Sequence, residues 1–237
     1  AFIINFAVEV LALPLVLGHV HEPVVHETHH HSVKESWRHL FSLPLAAIYL
    51  AYMCMQMVMG TLGALWAIWV HDLGGSFTFI GVTFSAFALP QILFGASAGR
   101  LADQWGRARI LLLTGLIAAT IYASYGFLTN LVAITALGIL EGLAIVFQTP
   151  VLLGMLADAS PVRARGRVQG ISGAMGAIGG SAAAFASLPL YHANRPEPFV
   201  LTGGVMVVGS AIAAFAAVAL VKARRARALA EVAVSSA

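Results

Sequence analysis

The sequence predicts an all-α, polytopic membrane protein built as a six-helix transmembrane bundle. Three observations predict it. Hydrophobic residues make up 59% of the chain and charged residues only 10%, where a soluble domain carries about 25% charged; the mean hydropathy is +0.88. Six runs are each long enough to cross a bilayer, which takes about 20 apolar residues. The basic residues gather at alternate ends of those runs.

Residues 1–18 are apolar but contain Glu9, begin without Met and lack a small-residue cleavage pattern. They read poorly as a signal peptide and better as the end of a preceding transmembrane helix, so the chain is expected to be a piece of a longer one. Residues 19–42 are the one long polar segment. They hold His19, His21, His26, His29, His30, His31 and His39 and end in SVKESWRHLF, an amphipathic stretch suited to a membrane surface. This reads as a His-rich central loop on the cytoplasmic side.

The bundle occupies 43–221. Runs 43–70, 76–99 and 110–129 carry no charge. Run 131–157 carries Glu141 alone, 168–194 is uncharged and rich in Gly and Ala, and 199–221 is uncharged. Helices in lipid are apolar all round, so periodicity cannot choose their inner faces. A β-barrel needs short alternating segments instead. Residues 222–237 read as a basic cytoplasmic tail.

Charge sets the orientation. Lys34, Arg38, Arg100, Arg107, Arg109, Arg163, Arg165, Arg167, Lys222, Arg224, Arg225 and Arg227 fall on one side, which is twelve of the thirteen Lys and Arg residues; Arg195 alone falls on the other. By the positive-inside rule the populated side is cytoplasmic, here of a plasma (inner) membrane. A sequence pI of about 9.4 does not imply nucleic acid, because the basic residues sit in short connections between apolar runs. The single cysteine, Cys54, excludes a disulfide within the chain.

Between the second and third runs lies a charged knot, GRLADQWGRARI, residues 99–110. Gly99 and Gly106 allow a tight turn and close helix approach. Asp103 can accept backbone N–H groups, and Arg107 and Arg109 can clamp a carboxylate. A second knot, LADASPVRARGRVQG, follows the fourth run with Asp158, Arg163, Arg165 and Arg167.

The first knot resembles the signature loop of the major facilitator superfamily, G-x-L-A-D-[RK]-x-G-[RK]-[RK]. Gly99, Leu101, Ala102, Asp103, Gly106 and Arg107 match, while Gln104 and Ala108 stand where a basic residue is usual. The resemblance implies a twelve-helix transporter in two halves, with this chain similar to helices 7–12. It implies a conformational latch in which Arg107 lies near Asp158 and Asp103 near the start of the fifth span. It also implies a small-molecule substrate, coupling to protons, alternating access within the lipid bilayer, and a missing six-helix half in cis or a second copy. Drug-efflux members supply the cargo analogy.

Polar groups inside a membrane are functional candidates. Glu141 suits a proton-coupled or cation-binding site, or else is hydrogen-bonded to a neighbouring helix. Gln56, Gln148 and Thr149 are further substrate candidates. Trp66 and Trp69 are further cavity candidates, though tryptophans so placed are more often interface anchors, and Pro90 and Pro150 read as bends. Gly173, Gly176, Gly179 and Gly180 form a smooth helix-packing face. The alternative is a transition-metal (copper) transporter using Met53, Met55, Met57 and Met59 around Cys54, with the loop histidines, because thioethers and thiols suit Cu(I). A flexible apolar filler role for these methionines competes with it. A third reading is a structural or sensor membrane protein without transport. No His-Glu-x-x-His pair and no cofactor loop are present, so no catalytic residue or cofactor is assigned.

Overall fold

The computed structural model describes residues 40–160 and 164–235, with side chains up to residue 223. Six helices follow in order: α1 Leu43–Asp72, α2 Phe77–Trp105, α3 Arg107–Tyr125, α4 Leu131–Ala159, α5 Arg165–Ala193 and α6 Glu197–Ser235. Each contains a stretch long and apolar enough to span a membrane, and no strand occurs among the described residues. The chain is an integral membrane protein of helical-bundle type.

The helix ends follow local chemistry. Pro44 sits in the first turn of α1, where a missing N–H costs nothing. Gly74, at φ 85°, closes α1 by donating its N–H to the His71 carbonyl at 2.8 Å. Ser76 caps α2 by accepting from the Phe79 N–H. Asn130 caps α4, its side chain accepting from the N–H groups of Val132 at 2.9 Å and Ala133 at 3.1 Å.

The charged knot is not a loop. α2 runs through it to Trp105, and α3 begins at Arg107. Gly106 alone separates them, at φ 92°, a left-handed value that a side chain would resist. The basic tail is likewise a continuation of α6, whose helix extends to Ser235. Helical structure also runs unbroken through Pro90 and Pro150.

The packing pattern has an internal symmetry. α1 packs mainly on α5 and α6, α4 on α2 and α3, and α3 on α6. Exchanging α1 with α4, α2 with α5 and α3 with α6 leaves this set of pairs unchanged. Each triplet has an odd number of helices, so the second starts on the opposite side of the membrane from the first. The bundle is therefore two interleaved triplets of inverted topology. The symmetry mates α2 and α5 are its least buried helices.

Close approach marks the equivalent contacts. A methyl group at Gly60 of α1 would run into the Gly180 carbonyl of α5, and one at Gly142 of α4 would run into the Phe87 carbonyl of α2. Gly176 and Gly179 also pack on α1, against Tyr52, Gln56, Met53 and Met57. The expected smooth face is thus real at Gly176, Gly179 and Gly180 but does not reach Gly173, which faces open space. Gly99 also faces open space, so it serves no close packing. Gly60→Ala is expected to lower stability by about 1–3 kcal/mol through overpacking, while Gly173→Ala leaves it unchanged; thermal unfolding of both variants in detergent is the check.

Candidate functional site

At the end of the bundle where α2 meets α3, Arg107 forks between two acids. Its Nε donates to Asp103 Oδ1 at 2.8 Å and its Nη1 to Asp158 Oδ2 at 2.6 Å. The first bond bridges the Gly106 break; the second reaches the last turn of α4. One planar guanidinium therefore ties three helix ends together, a task a lysine ammonium does less well. The group is only partly buried, with the Asp103 side chain 61% exposed, so each pair alone is worth about 1 kcal/mol or less.

The expected pairing of Arg107 with Asp158 is present. Asp103 bonds to Arg107 one turn on, and among the described residues no side-chain bond caps the start of α5. The short break at Gly106 keeps the acid on its own helix. Arg109 is exposed, as are Arg165 and Arg167 at the start of α5. Leu101 is half-buried. Arg163 lies outside the described residues, as does the His-rich loop.

Toward the other end, Glu141 is only 2% exposed. The Tyr125 hydroxyl of α3 donates to its Oε2 at 2.5 Å. Tyr122, one turn earlier, is also buried and lies beside the same carboxyl. Aromatic rings close over the pair: Trp66 lies 5.2 Å from Tyr125, Trp69 5.4 Å from it, and Phe199 4.8 Å from Trp69, centroid to centroid. These separations suit tilted and edge-on aromatic packing.

Trp66 and Trp69 are therefore not interface anchors. Both are buried, and the Trp66 Nε1–H donates to Thr83 Oγ1 at 2.8 Å, joining α1 to α2. A polar partner inside the bundle replaced the water that an anchor would seek.

The other polar candidates lie apart. Gln148 sits two turns beyond Glu141 on α4, buried, with Nε2 unpartnered among the described residues. Gln56 packs against Gly176 and Gly180 on α5. Met53 and Met57 press on Gly179 of α5, whereas Cys54 presses on Gly209 of α6. Met55 is buried and Met59 half-buried in the core. Met53 and Met57 thus share the face toward α5 while Cys54 faces α6, and among the described residues no three His, Cys, Asp or Glu groups converge.

Two features went unread in the sequence. The string GASAG, residues 95–99, has the letters of a nucleophile elbow, which requires a strand-to-helix turn. Here it lies inside α2, with Ser97 Oγ donating to the Phe94 carbonyl at 2.9 Å. The second is a clasp at the opposite end from Arg107. The Tyr191 hydroxyl of α5 donates to Asp72 Oδ2 at the end of α1, at 2.8 Å. Under the triplet exchange, the ends of α1 and α5 correspond to the ends of α4 and α2. The Asp72–Tyr191 clasp thus lies at the junction equivalent to that of Asp158 and Arg107, although Tyr191 ends α5 whereas Arg107 begins α3.

Comparison with known proteins follows this geometry. The family model described as "Major Facilitator Superfamily" matches residues 48–234, which takes in nearly all of the six helices. The maltose permease of Geobacillus stearothermophilus is similar, at 28% identity over 107 residues, covering 45% of this chain and 27% of that permease. The matched segment is thus well under two thirds of that relative's length.

Two outcomes follow from the geometry. Tyr125→Phe strips the buried Glu141 carboxyl of its donor and is expected to cost about 1–3 kcal/mol. A double-mutant cycle on Arg107→Ala and Asp158→Ala is expected to give a coupling of about 0.5–1 kcal/mol, as for a partly exposed pair. Both are read by unfolding of the purified protein in detergent.

Proposed function

The chain belongs to the major facilitator superfamily, and on that premise we propose that it forms one half of a secondary active transporter. The transporter moves small molecules across a membrane by alternating access and is coupled to protons. The observation that carries this reading is Glu141, a carboxyl enclosed among apolar and aromatic side chains and held by Tyr125 of the adjacent helix. Intramembrane carboxyls of this kind are costly to keep and mark ion pathways. Glu141 lies inside the bundle rather than on an open face, so its role is proton exchange as α3 and α4 shift, not direct contact with cargo.

The Arg107 fork supports the rest. It fixes the α2–α3 connection to α4, so the six helices move as one body, and it is positioned to latch one end state. Arg165 and Arg167 extend the same charged surface. The unpartnered helices α2 and α5 present large apolar side chains, among them Ile92 and Phe185 at 78% and 82% exposure. A second six-helix half, in cis or from another copy, is the partner that fits this face, with cargo carried between the two. The excess of Arg and Lys at one end supports a cytoplasmic position for that end, in a plasma membrane on this reading.

Cargo has two readings. The exposed apolar side chains of α2 and α5 favour an amphiphile, moved outward as in drug efflux. The similarity to a maltose permease favours a disaccharide instead. A copper reading would rest on Met53 and Met57, which share the α5-facing side of α1, with Cys54 turned instead toward α6.

The full-length protein in proteoliposomes under an imposed pH gradient tests the proposal. Amphiphilic dyes and maltose are the first cargoes to compare. Glu141→Gln is expected to reduce gradient-driven accumulation at least tenfold, with insertion and downhill exchange retained. Full uphill accumulation by that variant would refute coupling at Glu141. No flux of any cargo by the native protein would favour a non-transporting membrane protein.

A further inference from the structure

Between the start of α3 and the ends of α4 and α6 lies a cavity of about 610 Å³. Its floor is apolar, built from Met155 of α4 and Ala217, Val218 and Val221 of α6. Its rim is charged. Asp103 and Asp158 are both engaged by Arg107. That leaves Arg109 and Lys222, which stand exposed on the rim and form no ion pair among the described residues. Trp105 completes the wall, 60% exposed at the very end of α2.

The arrangement has a direction. Away from the rim, toward the middle of the bundle, α3 exposes Leu113 and Leu116 and α6 exposes Phe215 and Val218. The cations stand only at the helix ends, where headgroups lie, and the exposed apolar strip runs down from them into the hydrocarbon. An indole at that level is the amphipathic ring that prefers the interface.

We propose that this cavity binds the phosphate of an acidic phospholipid. The headgroup phosphate lies between Arg109 and Lys222, and the glycerol backbone rests against Trp105. One acyl chain follows the apolar strip between α3 and α6. Basic pockets between helices at a membrane surface take such headgroups. A zwitterionic lipid brings an ammonium that meets the same two cations unfavourably, so the site distinguishes acidic from neutral lipid. The inference rests on the chain spanning a bilayer, not on any cargo or coupling ion.

Native mass spectrometry of the full-length protein with phosphatidylglycerol, phosphatidylcholine or inorganic phosphate tests it. The native protein is expected to retain one phosphatidylglycerol that phosphatidylcholine does not displace. Arg109→Gln with Lys222→Gln should weaken that lipid's binding on the order of thirtyfold, since each basic residue near a surface contributes about fivefold. Arg100→Gln is the control: Arg100 is also exposed but lies outside the cavity, and its loss should change affinity little. Equal loss in the control would overturn the site in favour of diffuse surface charge. Unchanged binding in the double variant would overturn it outright. Displacement of the lipid by millimolar inorganic phosphate would show a free-anion site and overturn the lipid assignment.

Discussion

Helices inside a bilayer gain little from hiding apolar surface, because the surrounding chains are as apolar as leucine. What holds them together is close contact, and in this bundle that contact runs through backbone. Gly60 lies directly against the Gly180 carbonyl, and Gly142 against the Phe87 carbonyl. These two contacts sit on symmetry-equivalent helix pairs, α1 with α5 and α4 with α2. At that separation many side-chain atoms of each pair reach van der Waals range, including Tyr52, Gln56, Met53 and Met57 around α5. The placement of Glu141, Trp66 and Thr83 inside the bundle depends on α1, α2 and α4 being drawn together in this way.

The inverted repeat then gives a reason for having a clasp at both ends. In one triplet the terminal acid is Asp72, in the other Asp158. Asp72 is met by Tyr191 from the end of α5, and Asp158 by Arg107 from the start of α3. The chemistry differs at the two ends. A guanidinium shared by two carboxylates is a charged bond, and water and salt weaken it when it opens. A phenol on a carboxylate is a single directed bond. On the proposed alternating-access reading such ties must be breakable at low cost, and the partial exposure of the Arg107 group keeps its cost low.

Much of the architecture was legible before any coordinates. Span number and the pairing of Arg107 with Asp158 follow from apolar run length, charge position and the resemblance of one twelve-residue stretch. The misreadings share a physical cause. In lipid the apolar pattern carries no inner-face period, so nothing in the sequence separates Gly176, which packs, from Gly173, which does not. The same silence made Trp66 and Trp69 resemble surface anchors; their burial depends on Thr83 and Tyr125 arriving from other helices. Gly99 and Gly106 look alike as letters, yet only Gly106 adopts a positive φ, and that single residue turned an expected loop into two nearly abutting helices. Tyr125 as the partner of Glu141 was invisible because the contact joins separate helices across sixteen positions of sequence.

The position of Glu141 limits what it can do. A carboxyl that binds cargo must face the path the cargo takes. This one is covered by helices and rings of its own half, with Tyr125 occupying one oxygen. A proton needs no such path: it moves along hydroxyls and carboxyls through small changes of geometry. The Tyr122 hydroxyl one turn along α3 adds a second polar group beside the carboxyl, and the Gln148 amide, unpartnered among the described residues, lies two turns further along α4. Buried polar atoms left without partners are costly in a packed interior. On the proposed reading, a proton exchanged at Glu141 would pass through these groups.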